Sequence, residues 1–328
     1  MDFRQLRYFV AIADAGTISG AAQRLGVAQP SLSQHVLRLE EEVGADLLVR
    51  TSRGVVLTES GAILAKHARN ILKYVELARE EVRHHGQEPR GRVAFGLPSS
   101  ISMVLSVPLV EAARTRLPTV SMRVVEAMSG HILHWLDEGE IDLAILYNAS
   151  DLKRHAVTRL LTEDLYLIGV PSALPGQPTA GWVGRDAVSL AEVARMPLIL
   201  PSREHGLRAL IDQQARATGI ALNVVAEVDA LSQIRALVMR GEFVSILSLS
   251  AVHQELVQAQ LTAAPIGDPA IRRSVDLVRN PAHTLSRASI EVERLAIEII
   301  RELISRRVWR ARWEHGSVDP AIGKSNTA

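Results

Sequence analysis

Polar side chains suited to nucleic-acid contacts recur on one side of a predicted helix near the start of the chain. They are Ser31, Ser33, Gln34 and Arg38. Hydroxyl, amide and guanidinium groups hydrogen-bond readily to phosphate oxygens and to the edges of bases. The apolar positions of the same helix follow helical spacing: Leu32, Val36, Leu39 and Val43. The pattern predicts a helix that is buried on one side and contacts double-stranded DNA with the other.

Two earlier helices and a tight turn must position this helix. Apolar residues recur at helical spacing in two stretches: Phe3, Leu6, Val10 and Ala13, then Ile18, Ala21, Ala22 and Leu25. Thr17 can cap the second helix, Gly26 ends it, and Pro30 suits the first turn of the third. A helix held across another by a short turn fits the major groove with its N-terminal residues foremost. The alternative is a three-helix packing unit with a solvated polar face.

Residues 47–58 predict a two-stranded hairpin with its turn at Arg53 and Gly54. A hairpin beside a recognition helix forms a wing. Arg50 and Arg53 would then reach phosphates or a narrow minor groove.

The next segment predicts a long helix, from a cap at Thr58 to about residue 85. Its apolar positions are spaced 4, 3, 4, 3, 4: Leu64, Ala68, Ile71, Val75, Ala78 and Val82. This is the heptad spacing of a coiled-coil seam. A helix of ~28 residues is roughly 42 Å long, enough to hold two DNA-binding heads apart. The alternative is an amphipathic helix docked on its own domain. Residues 84–91, which open with two histidines, predict a hinge.

The composition is that of a globular protein, with 47% hydrophobic residues among 328. The absence of cysteine excludes disulfides and thiolate metal sites and suits a reducing cytoplasm. Residues 1–7 are too charged for a signal peptide, and no apolar run reaches the ~18 residues of a membrane span. We expect a soluble, cytoplasmic protein without membrane contact. Because the net charge is only +1, DNA affinity must come from local arginines and from pairing of heads.

After residue 91 the pattern changes to strands that alternate with helices. Strands are predicted at residues 92–97, 120–127, 141–147, 197–200, 221–228, 243–249 and 274–279, and helices at 104–116, 206–218, 231–240 and 288–306. Such alternation predicts βαβ units and a largely parallel sheet. About 210 residues is generous for one sheet, so we expect two lobes.

The N-terminal ~60 residues resemble the winged helix-turn-helix of the LysR-type transcriptional regulators. The matching positions are Phe9, Ser19, Ala21, Ala22, Leu25, Gln29, Pro30, Ser31, Ser33, Leu39, Glu40, Gly44, Leu47, Arg50, Thr58 and Gly61. Within that family, this opening and residues 163–169 are most similar to the nitrogen assimilation control regulators. The resemblance implies base and phosphate contacts at Gln29, Pro30, Ser31, Ser33, Gln34 and Arg38, with Arg50 and Arg53 on the wing.

Residues 136–145 resemble a signature of the LysR-type effector domain, which has the fold of periplasmic binding proteins. The implied class is α/β: an all-α winged head and long linker helix, then a two-lobed α/β effector-binding domain. The implied boundaries are 1–58 for the head, 59–88 for the linker helix, 91–304 for the effector domain and 305–328 for a tail. The first lobe would comprise 91–161 and 267–304, and the second 162–266. Glu242 and Ser248 stand where the family usually has glycine and proline, which affects the edge of the second lobe's cleft.

By position, the cleft candidates of the resembling domain are Pro98, Ser99, Ser100, Ser129, Ser202 and Arg203. Ligands of open α/β sheets sit at strand ends, often on helix N-termini, and hydroxyls with an arginine suit a small polar or anionic metabolite. The alternative is that these residues are ordinary N-caps and turn residues.

Other classes of function fit less well. No phosphate-binding loop, nucleophile elbow or zinc-protease helix occurs, so we expect no enzyme and no cofactor. His131, His134 and Asp137 share helical spacing, but no second cluster completes a metal site, so we expect no metal. A solute-binding or transport component, or an oligomerisation scaffold on the same head, remains the alternative. The basic segment 306–313, with Trp309 and Trp313, predicts packing or a solvated extension, and 316–328 predicts disorder.

The predicted function is therefore a LysR-type, sequence-specific DNA-binding transcription regulator, modulated by a ligand in the cleft. The expected partners are double-stranded DNA, further copies of the chain as a dimer or dimer of dimers, and a small polar or anionic metabolite. RNA polymerase is a further candidate partner.

Overall fold

The computed structural model describes residues 1–52, 54–83, 88–174, 183–184, 186–267 and 269–314. Arg53, the two hinge histidines and residues 316–328 lie outside the described residues, so the expectations placed on them have no structural counterpart. The chain divides into two compact units, residues 1–88 and residues 89 onward. No helix in the described part of the chain combines the length and apolarity needed to cross a membrane.

Three helices open the first unit: α1 (Phe3–Ala15), α2 (Ile18–Leu25) and α3 (Gln29–Val43). The Thr17 hydroxyl accepts the Gly20 N–H at 3.2 Å, so the predicted cap of α2 is present. The buried side of α1 is rotated from the predicted one. Phe9 and Ile12 are fully buried, whereas Phe3 is 56% exposed. The spacing of apolar residues identified the helix, but a short helix with many apolar residues fits more than one buried stripe.

The predicted hairpin consists of β1 (Leu48–Thr51) and β2 (Gly54–Leu57), which pair antiparallel. The Glu40 carboxylate accepts the N–H groups of Leu47 and Leu48, which ties β1 to α3. The Val55 N–H donates to the Gly16 carbonyl at 2.8 Å, which ties β2 to the end of α1. These contacts set the direction of the wing relative to the third helix.

The long helix α4 (Glu59–Arg83) follows, and the Thr58 hydroxyl accepts the Gly61 N–H at its start. A Cβ at Gly61 would lie 2.0 Å from the Leu47 carbonyl oxygen, so only glycine permits this close approach to the wing. Ala65 and Ala68 are fully buried, and Arg69 pairs with Asp14 of α1 at 2.6 Å. The first part of α4 therefore packs on its own head.

The predicted coiled-coil seam of α4 has a covered part and an exposed part. Leu64 packs against the core of the head and Ala68 is buried, so these two positions are already covered within the chain. Ile71 is 36% exposed and Val82 is 81% exposed, and Tyr74 beside them is 57% exposed. The first part of α4 thus docks on its own domain, and the helix then continues with an uncovered apolar stripe, for which the coiled-coil seam stays a prediction.

The second unit contains a six-stranded sheet and a smaller second lobe. The strands of the first lobe are β3 (Gly91–Leu97), β4 (Val120–Glu126), β5 (Leu143–Tyr147), β6 (Ala156–Asp164), β13 (Arg272–Arg279) and β14 (Arg312–Trp313), in the order β14-β6-β13-β5-β3-β4. Its helices are α5 (Ser99–Arg116), α6 (Ser129–Glu138) and α11 (Arg287–Ser305). Residues of α5 and α11 pack in one core cluster and those of α6 in another.

The second lobe is built from residues between β6 and β13. Its strands are β7 (Tyr166–Gly169), β8 (Val188–Ser189), β9 (Leu198–Leu200), β10 (Val224–Glu227), β11 (Ser245–Leu247) and β12 (Thr262–Gly267). Its helices are α7 (Leu190–Val193), α8 (Gly206–Ala217), α9 (Leu231–Val238) and α10 (His253–Val257). Four of the strands form one sheet in the order β11-β7-β12-β8, and β9 pairs with β10.

The sheets are mixed, not largely parallel as predicted. Strands β3, β4 and β5 are parallel, but β13 runs antiparallel to both β5 and β6. In the second lobe, β7 pairs antiparallel with β11 and β12. Five strands of this unit are missing from the sequence prediction, β6, β7, β8, β12 and β14, and most of the antiparallel pairs involve β6, β7 or β12. The alternation of helix and strand that suggested a parallel sheet does not extend to them, because β7 follows β6 directly.

Two strands carry the chain from one lobe to the other. Strand β6 ends at Asp164, one residue before β7, and β13 begins at Arg272 after β12 ends at Gly267. The predicted lobe boundary after residue 161 thus falls inside β6. Of the two alternatives predicted for residues 306–313, packing is the one observed, since Trp309 is buried in the first core and β14 pairs with β6.

Candidate functional site

The N-terminal face of α3 is open. Most of the predicted contact residues are exposed and Ser33 is half-buried; the exposed ones are Gln29, Pro30, Ser31, Gln34 and Arg38. The residue before the helix, Ala28, offers no side-chain cap to the first amides of α3. Uncapped amides at a helix start carry a partial positive charge and bind phosphate oxygens. The face thus presents amides, hydroxyls and one guanidinium on a rigid helix.

The wing adds one described cation near this helix. Arg50 lies on β1, pairs in register with Val55 and is exposed. Arg53, the other predicted wing contact, lies outside the described residues.

A cleft lies between the two lobes of the second unit. Its inner chamber, of about 50 Å³, is lined by Ser99, Ser100, Ser129 and Tyr147 from the first lobe, by His205, Asp229 and Ser248 from the second, and by Arg273 from the crossing strand β13. Pro98 also lines it. An adjoining outer chamber of about 580 Å³ shares Ser129, Tyr147, His205 and Arg273. The inner chamber has room for water or a small functional group, and the outer chamber has room for a metabolite.

Four helices begin at the inner chamber. Ser99 is the first residue of α5, Ser129 of α6 and Leu231 of α9, and His205 is the N-cap of α8. Pro98, Met128 and Ala230 precede three of these helices and supply no side-chain cap. The amides at these helix starts therefore favour a negatively charged or hydrogen-bond-accepting group in the cleft.

Arg273 contacts both lobes at this point. Its Nη2 donates to the hydroxyls of Ser248 at 2.9 Å and Ser100 at 3.2 Å, and its guanidinium lies 3.5 Å from the centre of the Tyr147 ring. Burial raises the pKa of Tyr147, so its phenol stays neutral, and its hydroxyl lies 2.7 Å from that of Ser100. Ser248, which replaces a proline usual in the resembling family, thus supplies a polar contact to the crossing strand.

Glu163 balances the charge of Arg273. Its Oε1 accepts from Nε of Arg273 at 2.7 Å and lies 2.6 Å from Nη2, and both side chains are almost fully buried. The other carboxylate oxygen accepts the indole N–H of Trp309 at 2.9 Å. Such a buried ion pair is tolerated because each charged group also has neutral hydrogen-bond partners.

His205 and Asp229 form the second lobe's side of the chamber. Burial lowers the pKa of His205, and the Arg273 guanidinium lowers it further, whereas Asp229 opposes the shift. Its Nδ1 accepts the Leu207 N–H at 3.1 Å, which requires an unprotonated nitrogen. Hydrogen bonds from Ser202, mainly from its backbone N–H, lower the pKa of Asp229. The chamber therefore has a neutral imidazole and an ionised carboxylate near neutral pH.

The structure brings four of the six predicted cleft residues together at the inner chamber: Pro98, Ser99, Ser100 and Ser129. Ser202 is not among its lining residues and instead holds Asp229. Arg203 lines a separate groove with Arg208 and Asp212 and is not among the lining residues of the inner chamber, so its role in the cleft stays a prediction. The position of Arg203 shortly after β9 does not show on which side of the turn its side chain lies.

Five polar lining residues were missed in the sequence: Tyr147, His205, Asp229, Ser248 and Arg273. The sequence feature that could have identified Arg273 is a positive charge at the start of a predicted buried strand. Such a charge requires an acidic partner. That partner, Glu163, is 110 residues away in the chain.

The histidine spacing of α6 does not form a metal site. Asp137 instead accepts from Asn280 at 3.1 Å and lies 2.8 Å from Nε2 of His155, while His131 and His134 are exposed. No group of three metal-ligating side chains occurs in the described ranges.

Two family models match the chain. The model of the bacterial regulatory helix-turn-helix protein of the lysR family matches residues 3–62, and the LysR substrate binding domain matches residues 86–301. The chain therefore belongs to the LysR family and is a DNA-binding transcription regulator with an effector-binding domain. The resemblance seen in the sequence is confirmed.

Individual relatives show which members of the family this chain resembles. The nitrogen assimilation regulatory protein nac of Klebsiella aerogenes is 34% identical over 93% of this chain and 96% of its own length. The protein of the same name from Escherichia coli K12 is 31% identical over 94% and 99%. The regulator OxyR of Escherichia coli K12 is 29% identical over 87% and 91%. The predicted similarity to nitrogen assimilation regulators within the family is confirmed.

Solved structures share the fold. A full-length OxyR variant from Pseudomonas aeruginosa superimposes with a TM-score of 0.74, at 23% identity over 96% of this chain and 98% of that one. CbnR in complex with its target DNA gives a TM-score of 0.61, at 22% identity over 92% and 99%. These likenesses confirm the predicted class, a winged head followed by a two-lobed α/β domain.

The lowered pKa of His205 predicts how stability depends on pH. Its folded-state value lies below the ordinary 6.5, so an unfolded chain takes up the proton first as the pH falls. The stabilisation is present above pH 6.5 and is lost as the pH falls towards the folded-state value. We expect His205→Gln, which can still accept the Leu207 N–H, to unfold in urea with a smaller loss of stability between pH 7 and pH 5.

The matched control is His134→Gln, which removes an exposed imidazole. His253 also has a pKa lowered mainly by burial, so part of the acid dependence persists in the His205 variant. An unchanged acid dependence in His205→Gln would contradict the assignment.

Proposed function

We propose that this regulator binds DNA through α3 and the wing, assembles through α4, and is controlled by a small polar or anionic metabolite in the inter-lobe cleft. The observation that carries the ligand proposal is the convergence of four helix starts and Arg273 on one chamber. Together they offer amides, hydroxyls and a guanidinium to an oxygen-bearing ligand.

The DNA contacts follow from the exposed face of α3. Gln29, Ser33 and Gln34 would read base edges in the major groove, and Pro30, Ser31 and Arg38 would lie against the backbone. Arg50 and Arg53 would contact phosphates from the wing. Since residues 1–88 carry as many acidic as basic side chains, single heads gain little from net charge, and pairing of heads is needed.

The relatives are named as regulators, and we propose no catalytic activity for this chain. As a DNA-binding protein it would act in the cytoplasm, with RNA polymerase as a further partner. The 328 residues contain no cysteine, so a thiol cannot serve as an oxidant sensor here. A dissolved metabolite is therefore the proposed signal, in preference to a redox change in the chain. The oligomer would be a dimer or a dimer of dimers.

The first test concerns base reading. Gln29→Ala and Ser33→Ala should each lose about 1–3 kcal/mol of specific binding, because a donor to a base edge is removed. Arg50→Ala should weaken binding to all sequences and reduce its salt dependence. Gel shifts on sites found by genomic footprinting measure both effects.

The control is Gln23→Ala, which removes an exposed amide from α2. If the folded Gln29 and Ser33 variants bind the sites as tightly as wild type, α3 does not read bases at these positions.

The second test concerns assembly. A lysine at Ile71 would place a charge in the uncovered stripe of α4, which should cost several kcal/mol of association if the stripe is buried in a dimer. Sedimentation should show monomers at micromolar concentration, with much weaker DNA binding. Glu76→Lys, on the opposite side of α4, is the control and should remain associated. A dimeric Ile71→Lys protein would place the interface elsewhere.

The third test concerns ligand control. A low-molecular-weight cell extract should raise the unfolding temperature of the wild type and change its DNA affinity. Ser99→Ala combined with Ser129→Ala should lose both responses, because two hydroxyls of the chamber are removed. Ser121→Ala is the control, because Ser121 is an exposed residue of β4. An unresponsive wild type, or a double variant that responds as the wild type does, would favour the scaffold alternative.

A further inference from the structure

The effector domain of this chain continues past the residues that match the family. The LysR substrate binding domain model ends at residue 301, but Trp309 is only 1% exposed and packs in the core of the first lobe. Strand β14 then adds Arg312 and Trp313 to the sheet beside β6. Glu314 follows and accepts a hydrogen bond from the Thr162 hydroxyl. The segment 306–314 is therefore built into the first lobe, which forms one side of the cleft.

Trp309 is linked to the inner chamber by a single intervening side chain. Its indole N–H donates to Oε2 of Glu163, and Oε1 of the same carboxylate accepts the N–H of Nε of Arg273 and lies at ion-pair distance from Nη2. Each carboxylate oxygen thus has its own donor, which fixes the plane of the carboxylate. The Ser250 hydroxyl lies 3.5 Å from Oε2, at the limit of a hydrogen bond, and is a poor substitute for the indole.

The remaining edge of the Arg273 guanidinium is available to a ligand. Within the described ranges its hydrogen bonds use Nε and Nη2, and Tyr147 stacks on its face. Its Nη1 is therefore the nitrogen left for an acceptor in the chamber. Of the residues that line the inner chamber, Arg273 alone is a lysine or arginine, and Glu163 already balances its charge. One donor edge beside helix starts suits a group with one negative charge.

We propose that Trp309 and Glu163 are positioning residues that hold Arg273 so that its Nη1 binds a carboxylate oxygen of a small monocarboxylate ligand. The inference rests on the proposed effector role of the cleft and names the ligand class and the residues outside the cleft that determine its binding. The segment beyond the family match is thereby part of the effector site, through the indole N–H of Trp309.

The test uses the full-length protein, with acetate as the probe and acetamide as its neutral isostere. Binding is measured as the concentration dependence of the unfolding temperature at constant ionic strength. Trp309→Phe keeps an aromatic ring in the core but removes the N–H. It should bind acetate about tenfold more weakly than the wild type, the effect of losing one hydrogen bond to a charged group. Trp313→Phe is the matched control, since Trp313 stacks near Arg301 and should bind acetate as the wild type does.

A paired variant shows how much of the acetate binding depends on Arg273. The paired substitution Glu163→Gln with Arg273→Gln removes both charges together, which avoids leaving one charge buried alone. This variant should no longer bind acetate, so it gives the baseline for the tenfold loss expected of Trp309→Phe. If Trp309→Phe does not fold, Trp309→Leu gives the second test, because it also removes the indole N–H and should show the same loss.

The outcomes distinguish this inference from the proposed function. Acetate binding that is lost in the paired variant but equal in Trp309→Phe and Trp313→Phe overturns the positioning role and leaves the cleft as the effector site. If the wild type binds acetate no better than acetamide, or the paired variant binds acetate as the wild type does, the anion-binding role of Arg273 is contradicted as well.

Discussion

The second unit depends on one buried ion pair, Arg273 with Glu163. The two residues face each other in register on β13 and β6, the strands that carry the chain between the lobes. Removing one partner of such a pair would leave an uncompensated buried charge, at a cost of about 3–5 kcal/mol. Arg273 also donates to Ser100 and Ser248, one in each lobe, and Glu163 accepts from Trp309. The crossing point is thus held together by polar contacts.

In the first unit, hydrogen bonds to one carboxylate and one backbone carbonyl hold the wing in place. The Glu40 carboxylate holds two amides at the start of the wing, and the Gly16 carbonyl receives the Val55 N–H. A Cβ at Gly54 would lie 2.3 Å from that carbonyl oxygen, so the wing can approach α1 this closely only with glycine there. The open face of α3 needs no such contacts, because it is kept in place by Leu32, Val36 and Leu39 behind it.

The sequence predicted elements whose signals are local and failed where distant residues decide. Thr17, Gly26 and Pro30 are read from their neighbours alone, and the helices they bound are present. Ser99 and Ser129 were placed at the cleft because a strand end fixes the start of the next helix. Arg203 follows β9 in the same way, but it lines a groove formed by α8 and β10, a side of the turn that local sequence does not indicate. Arg273, Glu163 and Trp309 were missed as a group, since their partnership joins three segments far apart in the chain.

Arg273 also limits how a ligand could change the arrangement of the lobes. A ligand shifts an equilibrium only by the difference between its affinities for two states. Because Arg273 already contacts Ser100 in one lobe and Ser248 in the other, the protein's own groups join the two sides of the cleft. The proposed ligand must therefore gain its difference in affinity from groups that these contacts do not use, which are Nη1 and the uncapped helix starts. Coupling of about 1–3 kcal/mol is typical of allosteric proteins, and one or two hydrogen bonds to charged groups supply that much. In the proposed mechanism the buried pair holds the crossing strands in place, and the weaker contacts around it would respond to the ligand.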